Sequence, residues 1–540
     1  EKAVAAAVES IQDQAKRQTL ANLGFAAGDT ITVQTTDTGT GSVSNITITV
    51  GTTQKTDGTG PVSTVQDALD VINASGVVTA EVTDAGKLKI SGGDSDTVNP
   101  YGGGMDGHER GSLRGMLDWL DNRTGYRALL QGVLYERIPG GARWRYIWGS
   151  TLVFAMVVQL ITGVVLWSAY SANAQGAWES VWFIQNQMTG GWLLRGIHHY
   201  MAQVTIVLLV LHLMQVLIDG AYRAPREVNF WFGLILLQLV LGLSLTGYLL
   251  PWDQKGYWAT KVATSIASMT PVVGPGLQQL LVGGSEYGHL TLTRFFVLHA
   301  GILPAAVALL IVGHIYLFRR HGVTTPKSAR EKPDGYFWPE QVLKDGVASL
   351  IVMATVLGLV LWSGGAHLGA PADPAEPYAA ARPEWYFLFL FQWLKYFPAG
   401  WEVIGAQVIP GLVLALVAAM PMIGGWKYGH RFNVGVATAL LAGIVMLTWQ
   451  ARVQDSADPE FVAAQAEAEV LAERSSELAA ALSGIPVEGG LAMLRADPLT
   501  QGPRIFEANC SQCHRFEGHD GLGGQPADPP SASDLAGFGT

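Results

Sequence analysis

Residues 196–218, GIHHYMAQVTIVLLVLHLMQVLI, decide the fold. The stretch contains no Asp, Glu, Lys or Arg and exceeds the roughly 20 apolar residues a transmembrane helix needs. It holds His198 and His212, 14 residues apart. At 100° per residue, 14 steps return to within about 40° of the same face, about 21 Å further along the axis. Residues 295–318, FFVLHAGILPAAVALLIVGHIYLF, hold His299 and His314, 15 residues apart. Fifteen steps return to within about 60° and advance about 22 Å.

Further charge-free windows lie around these two (B and D): A, Tyr146–Trp178; C, Val228–Trp252; E, Gly346–Ala372; F, Val403–Trp426; G, Phe432–Ala451. Seven transmembrane helices are therefore expected, and Trp385–Leu394 is too short to be an eighth. The 540 residues are 49% hydrophobic and only 14% charged, which suits a membrane protein. The net charge of −10 speaks against a nucleic-acid partner, and two cysteines exclude a disulfide framework. One set of flanks, beginning at 106–145, carries 17 Lys and Arg against 6 on the other. By the positive-inside rule the first set is cytoplasmic, and seven crossings put the C-terminus outside.

Windows B and D then run in the same direction. His198 and His299 share the outer level, and His212 and His314 the inner. Two facing pairs suffice for two bis-histidine haems in a four-helix core. Window A has Gly149 and Gly163, and window C has Gly233 and Gly247, each pair again 14 apart. Glycines at this period are common at helix contacts; beside the histidine period they read as contacts with the haem planes. His199 faces elsewhere and carries no role here. Arg195 and Arg294 lie at the outer level, as partners for haem propionates or as interfacial anchors.

Residues 453–540 form a tail: an Ala- and Glu-rich helical spacer, Pro459–Leu482, then Cys510-Ser-Gln-Cys513-His514, the attachment signature of a c-type haem with His514 on the iron. No Met follows His514, so the sixth ligand is His519 or an outside group, or else the chain is truncated; Met493 is a poor candidate. Residues 1–104 contain no Trp and no membrane-length run. Their Thr/Val alternation over Thr30–Thr52 predicts strands, with a short helix at Val65–Asn73. Thr64–Gly93 resembles insertion modules of flagellins and hook-associated proteins. No initiator Met or signal-peptide core is found there, and Met105 opens the charged lead into window A. The expectation is that 1–104 take no part in the chemistry and are foreign to the complex.

Residues 105–452 resemble cytochrome b of the quinol-oxidising cytochrome bc complexes. The resemblance rests on the two histidine pairs, Gly-Tyr-Leu-Leu-Pro-Trp at 247–252, Thr-Leu-Thr-Arg-Phe-Phe at 291–296 and Pro383-Glu384-Trp385-Tyr386. The 15-residue spacing and seven helices are similar to the chloroplast-type branch with its two polypeptides fused. That branch carries an additional covalent haem on a Cys where this chain has Ile147, so none is expected. The resemblance implies a four-helix di-haem domain at 105–330 and a three-helix region at 331–452. It also implies that Pro383, Glu384, Trp385 and Tyr386 line an outer quinol site. Glu384, a carboxylate beside an aromatic run, suits the role of proton acceptor. Tyr248 and Tyr257 flank a second outer loop facing the same pocket. An inner quinone site would use Arg319, Lys344 and Asp345, which read equally well as positive-inside flanking groups.

The expected whole is an all-α membrane protein of the cytoplasmic membrane with a small helical cytochrome c tail and a β-rich N-terminal segment. It acts as a quinol:cytochrome c oxidoreductase subunit in a Q-cycle. Quinol gives one electron to a Rieske iron–sulfur partner and the other through two haems b to an inner quinone. The fused haem c passes electrons to a further cytochrome c or an oxidase, and a homodimer is implied. Two alternatives stand: a surface protein with a membrane anchor, and the di-haem b anchor of another dehydrogenase.

Overall fold

The computed structural model describes residues 30–37, 43–49, 53–55, 60–74, 78–82, 88–92, 96–99, 113–326, 331–524 and 532–538. It divides into two units, Glu1–Leu129 and Leu130–Thr540.

In the first unit, strand Thr30–Asp37 pairs antiparallel with Val43–Thr49 and with Asp96–Asn99, and Val78–Val82 pairs with Leu88–Gly92. The helix Val65–Ala74 starts where expected, because Thr64 and Asp67 cap it reciprocally. Thr64 Oγ1 accepts from the Asp67 N–H at 3.1 Å, and Asp67 Oδ2 accepts from the Thr64 N–H at 2.9 Å. The linker 101–104 and most of Thr64–Gly93 beyond the helix and strands lie outside the described residues.

The second unit is built on helices. They are α1 (Ile147–Trp167), α2 (Gly176–Asn186), α3 (Gly191–Asp219), α4 (Glu227–Tyr248), α5 (Gln254–Ser268), α6 (His289–His321, with a π-turn at Leu298–Ile302), α7 (Val342–Ser363) and α8 (Gly429–Ala457). Then come α9 (Pro459–Ala480), α10 (Gly490–Arg495) and α11 (Pro498–Asn509). Among the described residues six helices are long and apolar enough to cross a membrane: α1 with its preceding turn, α3, α4, α6, α7 with its preceding turn, and α8. The expected uninterrupted seventh helix at Val403–Trp426 is not formed. Its place is taken by Ile404–Ala418 and Met420–Ile423, broken at Ala419. Pro421 explains the break: it has no N–H for the helix ladder, and its ring collides with the carbonyl four residues back. The pieces nevertheless reach both ends of the bundle. Gln407 donates to the Ile266 carbonyl at one end, and Ala418 accepts from the Trp231 indole at the other.

Helix α1 packs on α3, α4 packs on α6, and α7 lies against α1 and α3. The end bearing Gly163, His198, Gly247 and His299 is termed upper here, and that bearing Gly149, His212, Gly233 and His314 lower. Helix α3 turns out of the bundle at Gly220, whose φ of 65° is the left-handed cap only glycine adopts freely.

The tail is not a free spacer. Its helices α9 and α10 pack on α2, with Trp178, Trp182, Ala479 and Met493 forming one buried cluster. The Trp182 indole donates to Ser476 Oγ at 3.2 Å, and the Arg495 guanidinium holds Asp373 at 2.7 and 3.1 Å. Met493 is therefore a core residue, which removes it as an iron ligand.

Candidate functional site

The four histidines meet as two pairs. The rings of His198 and His299 have centroids 6.3 Å apart, and those of His212 and His314 are 6.5 Å apart. Two iron–nitrogen bonds of about 2 Å each place facing imidazole centres about 6 Å apart, so both pairs have the separation that a bis-histidine iron requires. The 15-residue spacing in α6 is reconciled with the 14 in α3 by the π-turn Leu298–Ile302, which contains His299. A π-turn absorbs one extra residue, and Pro304 just after it removes a ladder donor.

The ring nitrogens follow from the hydrogen bonds. Thr162 spends its hydroxyl proton on the Val158 carbonyl at 2.7 Å, so its oxygen accepts from His198 Nδ1 at 2.8 Å. His299 Nδ1 donates to the Leu243 carbonyl at 3.0 Å, with Thr246 Oγ1 at 3.3 Å. His314 Nδ1 donates to the Asn229 carbonyl at 3.1 Å. These bonds leave Nε2 unprotonated and aimed across the bundle, the usual arrangement of a metal-ligating imidazole. His212 Nδ1 is buried and finds no partner among the described residues.

Each of the four glycines faces one of the four histidines. A methyl group at Gly247 would lie 2.5 Å from His299 Cε1, at Gly163 3.2 Å from His198 Cε1, at Gly233 3.4 Å from His314 Cε1 and at Gly149 3.9 Å from His212 Cε1. The glycines, expected against the haem planes, each lie beside an imidazole ring.

Glu384 is 14% exposed and pairs with Lys255 Nζ at 3.1 Å; Lys255, 41% exposed, also lies 5.5 Å from the centre of the Tyr248 ring. The Tyr248 hydroxyl is buried beside the Glu384 carboxylate. The Trp385 indole donates to Gln203 Oε1 at 3.1 Å, and Gln203 Nε2 reaches His199 Nε2 at 2.7 Å. His199 thus belongs to the neighbourhood of this loop. Burial, reinforced by the Glu384 carboxylate, pushes the Tyr386 phenol well above its ordinary value. Pro383 sets the extended backbone before Glu384. Arg382, just ahead of it, grips Asp455 with its Nε and Nη2 at 2.9 to 3.1 Å. Tyr257 is packed in a core cluster with Leu249, Trp252, Leu292 and Phe295.

The two upper arginines are engaged elsewhere. Arg195 donates to Gln185 and to the carbonyls of Ala366 and His367, and Arg294 to the Leu280 carbonyl. At the lower end Arg319 pairs with Glu136 at 2.9 Å. Asp345 accepts from Gln341 at 2.8 Å, and no ion pair or hydrogen bond joins Arg319 to Lys344 or Asp345 among the described residues.

In the tail, the His514 N–H donates to the Cys510 carbonyl at 2.8 Å, so Cys510, Cys513 and His514 share one turn. Both thiols are free, and His514 Nδ1 donates to the Ser533 carbonyl at 2.8 Å, which leaves its Nε2 for a metal. His519 Nδ1 accepts from the N–H groups of Gly521 and Gly523 at 2.9 and 3.3 Å. These bonds occupy the Nδ1 lone pair of His519.

Thr162, Thr246, Gln203 and Lys255 escaped the sequence reading. The two threonines had a signal: each immediately precedes one of the upper glycines in an otherwise apolar helix.

Residues 203–373 match the family described as Cytochrome b(N-terminal)/b6/petB. The chain is 33% identical over 320 residues to a cytochrome b of Rhodobacter capsulatus, covering 56% of this chain and 72% of that one. It is 37% identical over 222 residues to a menaquinol:cytochrome c reductase cytochrome b subunit of Geobacillus thermodenitrificans, covering 40% of this chain and 99% of the other. A solved chain of a hyperthermophilic respiratory complex III shares the fold, with a TM-score of 0.51 and 22% identity over 62% of this chain and 99% of that one.

Proposed function

The chain belongs to the cytochrome b family, and on that premise we propose that it is the quinol-oxidising subunit of a quinol:cytochrome c oxidoreductase and carries its own haem c. It is a multi-pass membrane protein of the cytochrome bc and b6f type. The observation that carries the finer reading is the meeting of two imidazole pairs at 6.3 and 6.5 Å, each ring faced by a glycine. Those pairs suit two haems b, and Cys510, Cys513 and His514 suit one haem c. When bound, the haems b would supply one-electron transfer between the two levels, and haem c would take the electron given to the Rieske partner.

The chain's own residues do the rest. Thr162, Leu243 and Asn229 fix the ring protons on Nδ1. Glu384 takes a proton from quinol at the upper end, which in this reading faces outward because the basic flanks lie at the lower end. Trp385, pinned by Gln203, shapes the ring pocket with Tyr248 and Tyr386. At the lower end Asp345 is the group retained for a second quinone site, since Arg319 is spent on Glu136. The broken segment 404–423 serves as the sixth of seven crossings, before α8, and the tail then lies outside the cytoplasmic membrane. A Rieske protein, a further cytochrome c or oxidase, and a second copy of the chain are the partners. Residues 1–104 stay outside this chemistry.

Purified protein should give two haems b and one haem c in a pyridine haemochrome assay, and His212→Ala should lose one b while keeping c. Glu384→Gln should slow quinol oxidation about 100-fold with haem content intact. An unchanged rate in the assembled complex would remove Glu384 from the proton path.

A further inference from the structure

We propose that Lys255 is a positioning residue for quinol oxidation: it holds Glu384 against Tyr248 as an ion pair, and the pair opens when Glu384 takes the quinol proton. The inference rests on the reading of Glu384 as proton acceptor.

Three observations carry it. The Lys255 ammonium touches Glu384 Oε1 at 3.1 Å and lies over the Tyr248 ring, so one cation contacts both the end of α4 and the loop that carries Glu384. Its place on α5 is electrostatically unfavourable. Asp253 caps the helix by accepting from the Gly256 N–H at 2.8 Å, so Lys255 stands in the first turn, where the aligned peptide dipoles repel a cation. That position is compensated by the carboxylate facing it. The burial is also asymmetric, with Glu384 largely enclosed and Lys255 close to half in solvent. Asp253 additionally accepts from the Gly369 N–H at 3.2 Å, which ties the root of α5 to the segment leading toward Glu384.

The consequence is a one-proton latch. A hydroxyl O–H of quinol breaks, an O–H forms on Glu384, and the electron leaves to the acceptors named above. The neutral acid no longer attracts Lys255, whose ammonium is already partly hydrated. Glu384 is then free to turn from Tyr248 and release its proton. The other titratable or charged groups facing Glu384 are Tyr248 on α4, Tyr386 on its own loop and His199 on α3, with Arg195 and Asp253 beyond them.

The test uses the assembled complex, a short-chain quinol and cytochrome c, with Lys255→Met, Lys255→Arg, Glu384→Gln and the Lys255→Met/Glu384→Gln double variant. Lys255→Met should move the acid limb of the pH–rate profile upward by about one unit, a tenfold loss of rate on that limb. KM should change little, and haem b content not at all. Lys255→Arg should restore the profile. In the Glu384→Gln background Lys255→Met should add nothing. An unshifted profile with a slow Glu384→Gln overturns the latch alone; a Glu384→Gln enzyme of normal rate overturns the underlying reading as well. Additive losses in the double variant also overturn the latch.

Discussion

The upper and lower histidine levels repeat one motif with different tolerances. At the upper level both Nδ1 atoms are bonded, and the missing methyls of Gly163 and Gly247 would fall 3.2 and 2.5 Å from the rings. At the lower level one ring has no Nδ1 partner among the described residues, and the corresponding distances are 3.9 and 3.4 Å. Equal sequence spacing therefore does not mean equal packing. The upper seat is defined by contact and hydrogen bonding together, whereas the lower keeps slack and one free hydrogen-bonding valence. The upper level is also the one next to Glu384, where a displaced ring would be felt by the quinol loop.

Three substitutions grade this contrast. The largest effect belongs to Gly247→Ala, because a Cβ at 2.5 Å forces the His299 ring to move, and Leu243 and Thr246 hold it in place. One haem b should be lost while the other and haem c remain, as read by haemochrome stoichiometry. Next comes Thr162→Val, which keeps the shape and removes the acceptor for His198. Loss of such an outer partner costs about 10–100-fold in metal-site affinity, measurable as faster haem loss to apomyoglobin. The smallest is Gly149→Ala, whose methyl at 3.9 Å makes ordinary contact. It should retain full haem and turnover, and a Gly149→Ala protein that loses haem as readily as Gly247→Ala would erase the distinction between the levels.

The histidine and glycine periods are properties of a helix cylinder, so a sequence alone displays them, and the pairing follows from helix direction. The 15-residue interval in α6 did not reveal its π-turn, because periodicity assumes a uniform helix and only Pro304 hints otherwise. Thr162 and Thr246 were hidden because hydroxyls in apolar helices usually bond their own helix's carbonyls, as these also do. Lys255 carries no local signal of its pairing, since its partner Glu384 lies 129 residues away in sequence. The break at Ala419 was foreshadowed by Pro421, yet hydropathy averages over a single missing N–H. The Ala- and Glu-rich composition of Pro459–Leu482 announces a helix without saying what it rests on.

The docked tail also imposes an order on biogenesis. Trp182 finds Ser476 across 294 positions, and Arg495 finds Asp373 across 122. Until residues 476–493 have been synthesised, the tryptophans of α2 have no lid and the apolar face around Trp178 stays uncovered. Such distant contacts are entropically late, so α2 is sealed only after the segment that carries Ser476 and Met493 has followed it. A nascent chain stalled before Ser476 would therefore carry exposed indoles on α2 whether or not its cofactors were in place.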